Sequence, residues 1–427
     1  MRGGWAGRVA RDACLAPSDL PSGRAASDSD NGPRSQHDVI VIGAGVVGTS
    51  VAWQLAALGA GSVLVLERLQ IGAGTTAQSS GILRSHYSVP ENVELARRSW
   101  SVFERFAETL NDDEASAGLV KCGYLIAAPA GDKLAPLHAS LTAQQAMGIE
   151  VQRLSAAEAA ERLPICRFDD AALIGFEPEA GFADAYLVAT GFARAARRRG
   201  VKIIEGVEVR QLRLEQGRVA GVDTSIGRFD APIVISVQNI WAGDIERWTG
   251  IATPVRAERH RVLALEGRLP YSFEMPVYKD LGSAGMLYCR SYGGRQMLVS
   301  EGIAGETLST PDIEPGEITL DTVAAIGEQV AARFPSFESA GLASAWTGVY
   351  DVTPDWNPVL GRLPDVPGLI VAYGFSGHGF KLSPAVGRVL AQEALGLPTD
   401  VPLAPYAHER FRAGRWLSGR YGAGAVS

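Results

Sequence analysis

His37-Asp-Val-Ile-Val-Ile-Gly-Ala-Gly-Val-Val-Gly48 is the stretch that decides the fold. His37 to Ile42 is a short, β-branched, apolar run of strand length. Gly43-Ala-Gly-Val-Val-Gly48 follows at once, and Val47, Val51, Leu55 and Leu58 then recur at helical spacing. Gly59 and Gly61 break that helix, and Ser62-Val-Leu-Val-Leu66 is a second strand closed by Glu67. A strand, a G-x-G-x-x-G turn, a helix, a second strand and an acid about 20 residues on make a complete dinucleotide-binding unit. Gly43 makes the turn, Gly45 lets backbone approach a pyrophosphate, and Gly48 lets helix and strand pack. The pyrophosphate sits on the helix N-terminus. Glu67 accepts from ribose hydroxyls, and its charge disfavours a 2′-phosphate. The unit by itself does not separate FAD from NAD.

Next comes Ile71-Gly-Ala-Gly-Thr-Thr-Ala-Gln-Ser-Ser-Gly-Ile-Leu-Arg-Ser-His-Tyr87, a small, polar loop whose glycines and hydroxyls suit wrapping a cofactor. Arg84 and His86 stand out at its end; the alternative for Arg84 is a surface charge before a helix that begins near Pro90. Near the other end of the chain lies Gly374-Phe-Ser-Gly-His-Gly-Phe-Lys-Leu-Ser-Pro384. Of 40 basic residues only Lys121, Lys133, Lys202, Lys279 and Lys381 are lysines. A lysine in a glycine-rich turn is therefore a candidate for a site that needs a compact ammonium. The run from Pro384 to Leu395 reads as a helix, so the turn feeds a positive helix end. The alternative is a tight turn with a solvated lysine.

At 427 residues the chain can hold two domains, and 46% hydrophobic with 20% charged residues is a globular composition. A net charge of −7 argues against nucleic acid and anionic membranes as partners. No run is long and apolar enough to span a bilayer. Cys14, Cys122, Cys166 and Cys289 have no metal spacing and make no disulfide framework, and the six histidines are scattered. No metal site is expected. Residues 1–36 are rich in Gly, Ser, Arg, Asp and Pro and read as a disordered tail or an over-called start. The compartment expected is cytoplasmic, with mitochondrial targeting left open.

The opening unit, the loop with Ile82-Leu-Arg-Ser-His-Tyr87 and the Gly374–Pro384 turn together resemble the FAD-dependent amine oxidoreductases of the D-amino-acid-oxidase type. That superfamily includes sarcosine oxidases, dimethylglycine dehydrogenases and glycine oxidases, and the resemblance covers residues 37 to 398. It implies an α/β fold: a Rossmann-like FAD-binding domain, discontinuous in sequence, with an α+β substrate domain built on an antiparallel sheet. The expected FAD domain is 37–89, 153–247 and 342–398; the substrate domain is 90–152 and 248–341; 399–427 is a C-terminal extension.

The resemblance also assigns residues. FAD contacts fall on Gly43, Ala44, Gly45, Val46, Val47 and Gly48, on Glu67 and Arg68, and on Thr75, Thr76, Ser79, Ser80 and Gly81. Val207 matches a segment that packs on the adenine. Gly374, Gly377, Gly379, Phe380 and Lys381 complete the set. Arg84 matches the arginine that grips a substrate carboxylate, a bidentate task suited to its fork. Lys381 matches the lysine that makes the second contact. Tyr350 matches a position that lines the active site, or is an interface aromatic. His378 shares the Lys381 turn, where it either touches the ring or fills space. The helix after Lys381 places positive potential at the flavin edge, stabilising its anionic reduced form.

Three departures from the pattern bear on chemistry. Gln78 stands where some relatives tether FAD through histidine, and Gly348 where others use cysteine, so FAD is expected to be non-covalent. Leu298 stands where sarcosine oxidases carry a lysine that promotes reaction with oxygen. The implied activity is oxidation of the C–N bond of a small or N-methylated amino acid, as a dehydrogenase rather than an oxidase. The acceptor would be an electron-transfer flavoprotein, a quinone or O2. The alternatives are a peroxide-producing oxidase and a flavin-bearing assembly factor with little turnover.

Overall fold

In the computed structural model, Val39–Ile42 is a strand whose four side chains are all buried. The structure describes residues 35–267, 274–311 and 313–417. Residues 1–34 of the expected tail and 418–427 of the expected extension lie outside them.

Val39–Ile42 sits inside a six-stranded sheet in the order Val359–Arg362, Leu369–Tyr373, Ile233–Ser236, Val39–Ile42, Val63–Leu66, Lys202–Ile204. Its neighbours run parallel except for the first pair. The apolar run alternates between two cores. Val39 and Val41 face one layer with Val63, Val65, Ile235 and Ile370. That layer holds the helices Val46–Ala57, Ala185–Arg198 and Gly379–Ala394. Ile40 and Ile42 face the other, with Leu64, Leu66 and Val234. A strand buried on both faces must be apolar at every position, which is why it shows no alternation in sequence. The second layer is a meander, Val209–Glu215, Arg218–Thr224 and Gly227–Asp230. Ser35–Gln36 joins that meander in parallel with Phe229–Asp230, so the last two residues assigned to the tail are strand.

The second sheet has nine strands. Tyr124–Pro129, Gln152–Leu154, Ala171–Glu177, Arg256–Glu266, Val277–Asp280, Tyr288–Ser291, Gln296–Ser300, Glu306–Thr307 and Gly341–Val352 form it, antiparallel except where Val277–Asp280 meets Tyr124–Pro129. The strands Gln152–Leu154, Ala171–Glu177 and Gly341–Val352, assigned from sequence largely to the FAD side, pair into this sheet. The cause is pairing at long range: Gly341–Val352 lies along Arg256–Glu266 for nearly its whole length, and only its far end, from Gly348 on, reaches the other sheet's helices. The described part of the C-terminal extension packs back onto the chain. Arg410 is buried and grips Asp355 through Nε and Nη2 at 2.8 and 2.9 Å, clamping the tail to the strand-linking loop.

The helix at the carboxyl end begins at Gly379, five residues before the start read from Pro384. Pro384 has no N–H to offer the carbonyl of Phe380. Ser383 Oγ donates to that carbonyl instead, at 2.8 Å, and the helix runs through the proline. Lys381 thus stands in the first helical turn rather than in a loop.

Candidate active site

Two cavities meet at Gly45 and the residues Thr75 and Thr76. The first is lined by the turn and opening of the first helix (Gly45–Gly48), by Ser79 and Ser80, and by Tyr350, Gly377, Gly379, Phe380 and Lys381. The second is lined by Gly43, Glu67, Arg68 and Val207, with Gln238, Trp241 and Asp244. Most of the residues assigned to the cofactor therefore face one continuous trough, although they come from positions more than 300 residues apart.

The dinucleotide turn has the shape its glycines predict. Gly43 takes φ +100°, and a Cβ there would stand 2.6 Å from the carbonyl oxygen of Val237. A Cβ on Gly48 would overlap the carbonyl oxygen of Gly43. Only glycine permits that approach of helix to strand. Part of the turn's hydrogen bonding is met from within. Glu67 Oε2 accepts from Ala44 N at 2.7 Å and its Oε1 from Leu69 N at 2.8 Å. Thr76 Oγ1 accepts from Val46 N at 3.1 Å. Ala44, Gly81 and Gly374 do not line either cavity; they stand behind the lining. Gly81 sits where a Cβ would overlap Ala183 O, and Gly374 N donates to Asp351 Oδ2 at 2.6 Å. Arg68 stacks on Trp241, its guanidinium 4.3 Å from the ring centre, at the far end of the trough.

The turn before Lys381 is strained. Gly374, Ser376 and Gly377 all have positive φ, and serine pays a steric cost there that glycine does not. Asp351 holds the turn: it is buried, accepts from Gly374 N through its carboxylate, and accepts from Ser376 N through its carbonyl. Burial pushes its carboxyl up to about 7. Strain of this sort persists where surrounding structure over-determines it, which is common at ligand sites. A Cβ on Gly377 would fall 2.6 Å from the ring of Tyr350, so that turn lies flat against the tyrosine. Tyr350 is stacked in turn on His260, centroids 4.0 Å apart. Burial raises the Tyr350 hydroxyl to about 12, so it is a neutral donor and acceptor.

Arg84 is no surface charge; it is 2% exposed. It follows the short strand Ile82–Leu83, paired with Gly181–Phe182, and stands one layer behind the lining. Its Nε donates to the hydroxyl of Tyr288 at 2.7 Å, and Tyr288 does line the cavity. Its Nη1 donates to the carbonyl of His86, while Nη2 is buried with no partner. The rings of Tyr87 and Tyr124 flank the guanidinium at 4.8 and 5.6 Å. Glu177 answers part of its charge. It is buried, it accepts from Ser85 N at 2.7 Å, and burial lifts its carboxyl to about 7. His86 is held neutral: burial, then Arg84, pushes its imidazole down to about 3.

Lys381 is 8% exposed and has no acidic partner among the described residues. Burial, and then the charge of Arg84, drive its ammonium well below its ordinary range. His378 lies one turn earlier, edge-on to Tyr87 at 5.1 Å, with both ring nitrogens buried and unpartnered. Burial, Lys381 and Arg84 together keep it neutral. Buried polar groups are normally hydrogen-bonded, so this cluster of unanswered donors marks where a ligand belongs. The structure thus gathers Arg84, Lys381, His378 and Tyr350 at one end of the trough.

Tyr288, His260, Glu177, Asp351 and Asn239 escaped the sequence reading, and so did Lys279. Asn239 lines both cavities with a positive φ, accepting from Thr75 Oγ1 at 3.1 Å. Gln78, at the position of a histidine tether, is a strap instead. Its carbonyl accepts from Val349 N at 3.0 Å and its amide donates to Ile313 O at 3.1 Å. Leu298 packs with Val262, Ala264 and Trp346; on that strand Ser300 reaches the cavity.

Residues 38–393 match the family described as DAO, FAD dependent oxidoreductase. The chain is 27% identical over 412 residues to mitochondrial sarcosine dehydrogenase of Mus musculus, covering 90% of this chain but 43% of that protein. The chain therefore spans under half the length of that relative. It is 28% identical to the sarcosine oxidase subunit beta of an Arthrobacter species, covering 92% of this chain and 96% of that one. Among solved structures, L-proline dehydrogenase from P. horikoshii superposes with a TM-score of 0.81 at 25% identity, covering 90% of this chain and 100% of the other.

Proposed function

The chain belongs to the DAO family of FAD-dependent oxidoreductases, and from that premise we propose that it oxidises the C–N bond of a small or N-methylated amino acid, as a dehydrogenase. One observation carries the reading: two buried cations, Arg84 with an unpartnered Nη2 and Lys381 with no acidic partner among the described residues, stand beside the strained turn that faces the dinucleotide helix across a single cavity.

The residues present fit FAD. Gly43, Gly45 and Gly48 would hold its pyrophosphate against the first helix. Glu67 keeps lone pairs for ribose hydroxyls beyond the two backbone contacts it already accepts. Arg68, Trp241 and Val207 would wall the adenine end. Gly377, Gly379 and Lys381 would border the flavin. With Gln78 used as a strap, the cofactor is held without a covalent bond. Bound FAD would supply the acceptor for one hydride, that is two electrons and a proton. The chain's own work is orientation. Arg84 and Lys381 take the substrate carboxylate, which fixes the α-carbon and nitrogen in place. Tyr350 and Tyr288, neutral at any working pH, close the sides. His378, neutral, can accept a proton or a hydrogen bond but adds no charge. Apolar Leu298 among apolar neighbours supplies no cation to favour superoxide, which supports a dehydrogenase.

The test is anaerobic. Purified protein should be yellow and should release FAD on denaturation. Mixing without oxygen with N-methylglycine, N,N-dimethylglycine, proline and unsubstituted amino acids should bleach the flavin with at least one of them. Readmitted air should restore colour slowly; rapid return with peroxide would instead identify an oxidase. Absence of bleaching across the whole panel would sink the catalytic reading in favour of an accessory role.

A further inference from the structure

Lys279 is the buried lysine that the reading above leaves unused. It lies on Val277–Asp280, directly opposite Tyr288, which is opposite Ser300, which is opposite Val262. Residues opposed across a sheet share a face. Tyr288, Ser300 and Val262 all line the cavity, so the side chain of Lys279 leaves the sheet on the cavity side.

Its ammonium stands directly behind the wall, next to a lining residue. Gly302 lines the cavity, and a Cβ on Gly302 would coincide with Lys279 Nζ. The side chain that any other residue would place there has been exchanged for a positive charge. Nζ is 5.0 Å from the centre of the Tyr288 ring, and Arg84 holds the hydroxyl of the same tyrosine. Two cations therefore flank Tyr288.

Lys279 is also poorly answered. The residue is 2% exposed, and of its three donors one is used, on the carbonyl of Met286 at 2.8 Å. No ion pair reaches it among the described residues. Asp280 points to the opposite face and is held there by Arg333 at 3.0 Å. The carboxylate of Glu301 lies beside Gly285. Burial, with Arg84 next in weight, brings the ammonium down to about 7, a state that an anion placed beside it would reverse. A buried cation with spare donors at a cavity wall is costly unless a ligand completes it.

We infer that Lys279 is a specificity-determining residue that receives a second acidic group, so that the substrate is a dicarboxylic amino acid, with one carboxylate for Arg84 and Lys381 and the other for Lys279. The inference rests on the amino-acid oxidation proposed above.

Matched pairs test it: N-methylglycine against N-(carboxymethyl)glycine, and N-methylalanine against N-methylaspartate, by anaerobic flavin reduction. The diacid of each pair should have the higher kcat/KM, by roughly tenfold or more. Lys279→Met should lower the diacid value at least tenfold further than the monoacid value, and Lys279→Arg should recover part of the difference. An equal loss on both members, or no preference in the unaltered protein, overturns the inference. A second readout needs no turnover: perturbation of the flavin spectrum by succinate and by butyrate. Succinate should bind more tightly, and Lys279→Met should erase the difference. If no amino acid reduces the flavin yet succinate keeps that advantage, the catalytic reading fails and the assignment of Lys279 stands. If monoacids alone reduce it and succinate has no advantage, the catalytic reading stands and the assignment fails.

Discussion

The two ends of the trough are built on opposite plans. At the dinucleotide turn the chain answers much of its own polarity: Gly43 N donates to Leu66 O, Ala44 N to Glu67 and Val46 N to Thr76. Its selectivity comes from backbone shape and from the absence of side chains. Around Tyr288 the plan is inverted. Arg84, Lys279, Lys381 and His378 are large, buried and incompletely partnered, and they come from three separate segments. A site for a constant ligand can be made of backbone, because its shape never changes. A site that selects among substrates must be made of side chains, and leaving them unanswered is what makes the right ligand bind.

The first way to break that contrast is to place a side chain where shape is everything. Gly48→Val should yield protein without flavin, because the added carbons meet the Gly43 carbonyl at the helix–strand crossing. Absorbance of the purified protein checks it, with circular dichroism to verify folding. A folded, yellow variant would show that the turn does not set cofactor binding.

A smaller effect is expected at the other end. Arg84→Ala and Lys381→Met should each retain FAD while weakening amino-acid-dependent reduction. Removing one member of a buried charged contact costs about 2–5 kcal/mol. That is roughly thirtyfold to a few thousandfold in kcat/KM. Loss of FAD in either variant would move the residue from substrate to cofactor and blur the division between the ends.

The same division decides what could be read beforehand. The turn from His37 to Gly48 is local, so the spacing of glycines and apolar residues already contains its geometry. Lys381 stands out through its glycine-rich turn and the scarcity of lysine, the roles of Arg84 and Lys381 come from resemblance, and their burial is what removes the alternative of solvated charges. Tyr288 and Lys279 acquire meaning only through pairing. Nothing near Tyr288 in sequence says that Arg84, 204 residues earlier, will donate to it. A signal for Lys279 did exist: it is one of five lysines, set in a short strand-like run between valine and buried leucine. Sheet membership is hidden for a related reason, since Gly341–Val352 is placed by a partner far away in the chain and Ala171–Glu177 by one more than 40 residues earlier. The onset of the last helix was misplaced because a proline suggests a first turn, whereas the hydroxyl of Ser383 lets the helix pass through it.

The smallest effect is the most specific to the unanswered end. With no anion beside it, Lys381 is pushed well below its ordinary 10.5 by burial and by Arg84. In the unfolded chain it keeps its proton up to about 10.5, so the native state binds fewer protons and stability rises with pH across the window below that value. A carboxylate in contact with Nζ reverses the balance and restores the ammonium. Binding of a monocarboxylate should therefore take up as much as one proton, and affinity should fall as pH climbs from the depressed value toward 10.5. Near Lys381, His378 stays neutral and Arg84 stays charged throughout, whereas Glu177, Asp351 and Lys279 titrate near 7, so the Lys381→Met comparison is what isolates the lysine's proton. Calorimetric titration with butyrate in two buffers of different ionisation heat measures the uptake directly, and Lys381→Met should abolish it. A pH-independent affinity with no proton taken up would mean that the carboxylate never meets Lys381, leaving Arg84 as its holder and the lysine as part of the flavin border alone.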